Sequence, residues 1–231
     1  MRRQLRLYVV TDHELARGRS EEEVVRSAIA GGATAIQFRA KDWDTSRMIE
    51  VGSRLREITA AADVLFIVND RVDVAIAVNA DGAHIGQEDI PIEIARQILG
   101  PSKILGVTIY NVEQAQAAQE KGADYLGTSA VFPTGTKKYI SVPPLGLEGL
   151  SRIVKSTSLP VVAIGGISKD NAEQVLNTGV TGIAVVSAVV AADDIEGAAR
   201  DLRAIVDRIT KSTWEGSPAL TVGDVRGDRT P

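Results

Sequence analysis

Apolar and polar positions along the chain fall into a repeating order. Short apolar runs recur at intervals of roughly 20 to 30 residues, and each is followed by a stretch with the helical period, which is the pattern of repeated βα units. The runs are RLYVVTD, TAIQFRAKD, VLFIVND, GAHIGQED, KILGVTIY, DYLGTSAVFP, LPVVAIGG and TGIAVVSAV, eight in all. Between them the spacing predicts helices over 20–30, 45–60, 91–99, 112–121, 169–178 and 195–209. Ser20 followed by Glu23 reads as a capping box, Pro91 suits a first helical turn, and Gly31 and Gly122 stop the helices before them.

Eight strand and helix alternations with buried-looking strands predict a closed eight-stranded parallel α/β barrel rather than an open doubly wound sheet. No G-x-G-x-x-G follows the first strand, so a dinucleotide fold lacks its fingerprint. One barrel domain is expected over 1–210. Residues 211–231 mix Gly, Pro, Ser, Thr and charges and read as a flexible tail, with Trp214 at its start and the triplet RGD at 226–228 as a coincidence of composition.

Composition sharpens this picture. At 231 residues the chain suits one barrel, a fold that commonly takes about 200–250. A hydrophobic share of 44% with only 4% aromatics implies a core of branched aliphatics and alanine, as buried parallel strands require. A net charge of −4 and a pI near 5.3 give no basic field, so no nucleic-acid partner is expected. Zero cysteines exclude disulfides, zinc thiolates and thiol nucleophiles together. The basic N-terminus leads into a short apolar run without a cleavage site, and no stretch reaches about 18 apolar residues, so a cytoplasmic protein with no membrane partner is expected.

In a parallel barrel reactive residues sit at the C-terminal ends of strands and in the loops that follow. Gln37, Arg39 and Lys41 alternate on one side of the second run, an expensive alignment unless the barrel mouth holds a charged ligand. Arg39 beside Lys41 argues for phosphate rather than a Schiff base, which needs a desolvated amine. Asp70 and Asp89 end adjacent runs, close enough to raise one pKa as an acid/base dyad or to hold a divalent cation, with magnesium favoured by the surrounding cations. Asp70 has a plainer reading as a cap for a helix starting at Arg71. Asn69 offers an amide. His84, inside the fourth run, reads as a buried histidine satisfied by a neighbour, and His13 has little support. No Ser, His and acid set stands at strand ends, so a hydrolytic nucleophile is not indicated. Gly165, Gly166 and Ser187 follow the seventh and eighth runs, where barrels often cradle phosphate, though glycine there also serves a turn. The stretch VFPTGTKK sets two hydroxyls and two ammonium groups around one glycine but fails the order of a Walker loop.

Taken together, LYVVTD, GGATAIQFRAKD, FIVNDRVDVAIAVNADGAHIGQED, ADYLGTSAVFPTGTKK and PVVAIGGISKDNAEQVLNTGVTGIAVVSAV resemble the thiamine-phosphate synthase family over about Leu7 to Val189. The resemblance implies a barrel transferase that joins hydroxymethylpyrimidine pyrophosphate to thiazole phosphate with magnesium. It implies pyrimidine pyrophosphate contacts at Gln37, Phe38, Arg39, Ala40, Lys41 and Asn69, and magnesium ligands at Asp70 and Asp89. Lys41, Lys137 and Arg39 would stabilise the leaving pyrophosphate. Thr134, Gly135, Thr136, Gly166, Val186 and Ser187 would hold the thiazole phosphate. Thr108 stands where the family commonly has Ser in a GVS segment, and the IYN that follows departs from the family pattern. A thiazole tautomerase of the same barrel and a non-catalytic phosphate-ligand sensor are the alternatives. Self-association and a carboxylated thiazole partner stay open.

Overall fold

The computed structural model describes residues 1–135 and 143–214. Eight parallel strands close into a barrel in sequence order, each hydrogen-bonded to the next and the eighth to the first. They are β1 (Leu7–Val10), β2 (Ala35–Phe38), β3 (Leu65–Asn69), β4 (Gly82–Ile85), β5 (Ile104–Ile109), β6 (Tyr125–Ala130), β7 (Val161–Ile164) and β8 (Gly182–Val185). The helices outside are α1 (Glu21–Ala30), α2 (Thr45–Ala61), α3 (Val72–Ala77), α4 (Ile92–Leu99), α5 (Val112–Glu120), α6 (Gly146–Ser156), α7 (Ala172–Leu176), α8 (Ser187–Val190) and α9 (Ile195–Trp214). The barrel expected from the alternation of runs is the one observed.

Local rules account for the boundaries. The Ser20 side chain accepts from Glu23 N while Glu23 reaches back to Ser20 N, so the expected capping box opens α1. Gly31 ends α1, and Gly122, at φ +94°, follows the end of α5. Pro91 is the residue before α4 rather than inside its first turn. Helix α9 runs to Trp214, into the segment expected as tail; residues 215–231 lie outside the described residues.

Two apolar clusters follow from the strand period of two. One set of side chains packs outward under the helices, Phe38, Phe66, Val68 and Val107 among them. The other fills the barrel: Leu5, from a short N-terminal turn, sits with Tyr8, Ala35, Leu65, Ile67, Tyr125, Val162 and Ala184. The lumen is therefore apolar below and polar towards the strand C-termini, where Gln37, His84 and Ser129 are buried.

At the opposite rim, where strands begin, polar groups tie neighbouring units. Asp81 accepts from Phe66 N at 2.8 Å and from Arg56 at 2.9 Å. Asp124 accepts from Leu105 N at 2.8 Å and from Arg96 at 2.5 Å. The Thr34 hydroxyl accepts from Leu7 N at 2.9 Å. Each closes a main-chain donor that the ladder leaves open at a strand start.

Candidate active site

A cavity of about 290 Å³ opens at the C-terminal ends of the strands. Gln37, Arg39 and Lys41 line it, while Phe38 and Ala40 turn the other way into the outer core. Phe38 lies edge-on to Trp43 with ring centroids 5.9 Å apart, so these two can offer the cavity main-chain atoms but not side chains. Arg39 donates to Asp12 at 2.6 Å and its backbone N–H to the Thr11 hydroxyl at 3.2 Å. Asp12 in turn accepts from Glu14 N and Leu15 N, so the guanidinium is anchored in the wall by one edge.

Asp70 and Asp89 share this mouth with Lys41. The Lys41 ammonium pairs with the Asp70 carboxylate, and Asn69 Nδ2 donates to the other Asp70 oxygen at 2.8 Å. Burial above all raises the Asp70 carboxyl above its ordinary value; Lys41 opposes the rise and the Asp89 carboxyl adds to it. Asp89 is held by Gly86 N at 2.7 Å. Asp70 has a left-handed backbone, φ +62°, a conformation that costs a non-glycine residue on the order of 1 kcal/mol and marks a position under constraint. It does not cap the next helix with its side chain, since α3 has Arg71 as N-cap and no side-chain cap bond.

Across the mouth, Gly165 and Gly166 have φ of +97° and +67°. A Cβ on Gly165 would stand 2.4 Å from Ala130 Cα, and one on Gly166 would stand 2.8 Å from Pro133 O, so both positions require glycine on two counts. Asn171 Nδ2 holds the loop through Gly166 O at 2.8 Å. Gly166, Val186 and Ser187 line the cavity together with Thr134, which presents bare main chain and two hydroxyls to any ligand there. Gly135 faces open space rather than this wall. Thr136 and Lys137 lie outside the described residues.

The family model for thiamine monophosphate synthase matches residues 7–189. A thiamine-phosphate synthase of Pyrococcus furiosus is 54% identical over 209 residues, 90% of this chain and 98% of that one. One of Chloroflexus aurantiacus is 54% identical over 201 residues, 87% of this chain and 92% of that one. The solved structure of thiamine phosphate pyrophosphorylase from Pyrococcus furiosus superposes with a TM-score of 0.83 at 52% identity, covering 90% of this chain and 98% of that one. The chain belongs to the thiamine-phosphate synthase family. It is a transferase of thiamine biosynthesis. A 3-hexulose-6-phosphate synthase at 19% identity and TM-score 0.66 shares the barrel alone.

The carboxylates suit the hard cation expected in this family. Asp70 and Asp89 offer oxygen donors only, they repel each other at the mouth, and Lys41 relieves only one of them. A pair rather than a full cage leaves coordination positions for water and phosphate oxygens, as magnesium prefers. A different cluster, His13 with Glu14 and Asp42, brings three potential ligating groups together.

Sequence reasoning missed Tyr8, Tyr125 and Ser129, all of which line the cavity. The two tyrosines were legible only as core. A closer reading of the period on β6, where Tyr125, Gly127 and Ser129 share the lumen face, would have found them. His84 is, as expected, a buried histidine satisfied by neighbours: Nδ1 is 2.9 Å from the Tyr125 hydroxyl and Nε2 is 2.8 Å from Thr108 Oγ1. No helix among the described residues is long and apolar enough to cross a membrane.

Proposed function

We propose that this chain condenses hydroxymethylpyrimidine pyrophosphate with thiazole phosphate, giving thiamine phosphate and pyrophosphate. The observation that carries the reading is the shared mouth of Asp70, Asp89 and Lys41 facing the glycine wall of Gly165 and Gly166. One side suits a diphosphate with its counter-ion and the other a single phosphate on bare main chain, with a cavity of about 290 Å³ at the mouth.

In the proposed step the bond from the pyrimidine methylene to the pyrophosphate oxygen breaks, and the oxygen keeps the electron pair. The thiazole nitrogen lone pair then forms the new bond to that methylene carbon. Lys41, Arg39 and, from the segment outside the described residues, Lys137 stabilise the negative charge that grows on the leaving oxygens. Magnesium, held by Asp70 and Asp89, would supply further positive charge to the diphosphate. Gln37, Asn69 and Thr108 orient the pyrimidine; Thr134, Gly166, Val186 and Ser187, with Thr136 from the segment outside the described residues, hold the thiazole phosphate so that the nitrogen waits beside the carbon. No strong base is required.

The test is direct. Incubation with both substrates and magnesium, followed by mass detection, should yield thiamine phosphate and one pyrophosphate per turnover, and a chelator should abolish it. A product without pyrophosphate release would point instead to isomerase chemistry on the thiazole alone.

A further inference from the structure

Four hydrogen bonds run through the lumen from β2 to β5. Gln37 Nε2 donates to the Tyr8 hydroxyl at 3.0 Å, and Tyr8 and Tyr125 hydroxyls meet at 2.9 Å. Tyr125 reaches His84 Nδ1 at 2.9 Å, and His84 Nε2 reaches Thr108 Oγ1 at 2.8 Å. Both end residues, Gln37 and Thr108, line the cavity. The strands make room for this chain. A Cβ on Gly106 would stand 2.2 Å from Tyr125 Cζ and 2.4 Å from His84 Nδ1, and one on Gly127 would stand 2.8 Å from His84 Cε1.

Each phenol has one proton to give, and a neutral imidazole carries one proton on one of its two nitrogens. Burial raises both tyrosines above the ordinary phenol range, so each stays a hydroxyl that donates once and accepts. Fixing one link therefore fixes all. With Gln37 Nε2 donating, Tyr8 donates to Tyr125, Tyr125 to Nδ1, and the ring proton sits on Nε2 and goes to Thr108. The free ends are then an acceptor, Gln37 Oε1, and a donor, the Thr108 proton. Reversing any link without the others leaves two protons or two lone pairs facing in a buried site, at a cost of about 1–3 kcal/mol. Reversing all of them exchanges the two ends.

We infer that Tyr8, Tyr125 and His84 are positioning residues that force the two ends of the relay to be unlike, so that the cavity selects a planar heterocycle offering a donor toward Gln37 and an acceptor toward Thr108, as an aminopyrimidine can. This rests on the proposed reading of the substrate and deepens it: the amino group donates to Gln37 Oε1 while a ring nitrogen accepts from Thr108. A pyrimidinone, with an oxo group and a ring N–H, fits the same relay reversed. A methoxypyrimidine, with acceptors at both places, fits neither direction.

The test uses the full chain with magnesium, without thiazole phosphate, and three probes: the aminopyrimidine phosphate, its pyrimidinone and its methoxy analogue. The chain has two histidines, so imidazole nitrogen shifts by NMR, assigned with His13→Asn, report the His84 tautomer directly. The expected result is a proton on Nε2 with the aminopyrimidine and on Nδ1 with the pyrimidinone; the same tautomer with both would overturn the relay. The methoxy analogue should bind wild type at least about tenfold more weakly than the aminopyrimidine. Tyr8→Phe should shrink that ratio to within a few fold, because Gln37 is then at liberty to turn its N–H to the methoxy oxygen while Thr108 still donates. A merely structural Tyr8 would weaken all three probes alike and leave the ratio unchanged, which would sink the proposal. Failure of wild type to bind the aminopyrimidine phosphate at all would refute the substrate reading itself, and the relay's role with it.

Discussion

The two ends of the barrel use the same residue types to opposite effect. At the rim where strands begin, Asp81 and Asp124 each meet one guanidinium and one main-chain N–H, so both carboxylates have their complement in place. At the mouth where strands end, Asp70 and Asp89 crowd together beside Lys41, and burial raises Asp70. Glu21, behind Arg39 and Asp12, is 4% exposed and neither of its carboxyl oxygens finds hydrogen-bond geometry. Satisfied carboxylates at one end hold units together. The crowded pair at the other end, Asp70 and Asp89, is what a cation would complete.

The strongest way to break that contrast is Asp70→Ala. Removing one charge contact from the diphosphate site should lower turnover about a hundredfold, on the order of 3 kcal/mol in the barrier. The thermal midpoint should change little, because the gain from removing a crowded carboxylate is offset by alanine's poorer fit to the left-handed backbone and by the lost Lys41 and Asn69 contacts. Turnover within a few fold of wild type at saturating magnesium would remove Asp70 from the mechanism.

Next in size is a pH effect at Glu21. Burial pushes this carboxyl up to about 7 from 4.5, with Asp12 and Glu22 adding to the rise while the Thr11 hydroxyl and Arg47 oppose it. The folded state thus keeps a proton that the unfolded chain loses. Below about 4.5 the carboxyl is neutral in both states and costs nothing. As pH climbs through 7 the unfolded state gains a free ionisation that folding denies, so stability falls over that window and levels off above it. Glu21→Gln should therefore stabilise the chain by about 2–3 kcal/mol at alkaline pH and by little under acid conditions. Urea unfolding at the two extremes checks it; equal gains at both would show that folding leaves the Glu21 pKa unchanged.

At the other rim, Asp124→Ala should cost stability and spare catalysis. It leaves Leu105 N without its acceptor and Arg96 without its carboxylate, but Arg96 keeps the carbonyls of Gly100, Lys103 and Gly122. With the Asp124 side chain 39% exposed, water takes part of the place, and a loss of about 1–2 kcal/mol is expected. Michaelis parameters should stay within a factor of two or so. A drop in turnover with unchanged stability would erase the division of labour between the ends.

What the sequence made legible follows the same division. The eight strands stood out because each is buried on both faces and reads as a continuous apolar run, and the cations of the mouth stood out because Gln37, Arg39 and Lys41 alternate against that background. The pairing of Asp70 with Asp89 was legible as well, since both follow the ends of neighbouring strands, although Asp89 lies in the loop four residues beyond β4. Helix α7, expected over 169–178, spans only Ala172–Leu176, and α8 was hidden because at 4 residues it is too short to show a period. The polar floor was hidden for another reason. Tyr8 and Tyr125 are large and wholly buried, so by composition they count as core, and only the closed barrel brings residues 117 apart in sequence to hydrogen-bonding distance. Arg39 showed as a cation but not as one already anchored, because Asp12 lies in a loop 27 residues earlier.

The smallest expected effect sharpens the contrast most finely. Ser129 is buried in the cavity wall, and its hydroxyl has no hydrogen-bond partner among the described residues. At the rim such a group would be a defect, and its removal would stabilise. In the mouth it is a group waiting for a ligand atom. Ser129→Ala should change the unfolding free energy by less than about 1 kcal/mol, in the stabilising direction, since no bond is lost and one desolvated hydroxyl goes. The substrate KM should rise roughly three- to tenfold with turnover nearly kept, the signature of a contact made equally in ground and transition states. Steady-state kinetics beside a denaturation curve separates the outcomes: a gain in stability with unaltered KM would mean that the hydroxyl meets no substrate, and the boundary between satisfied and waiting groups would have to be drawn above Ser129, nearer Asp70.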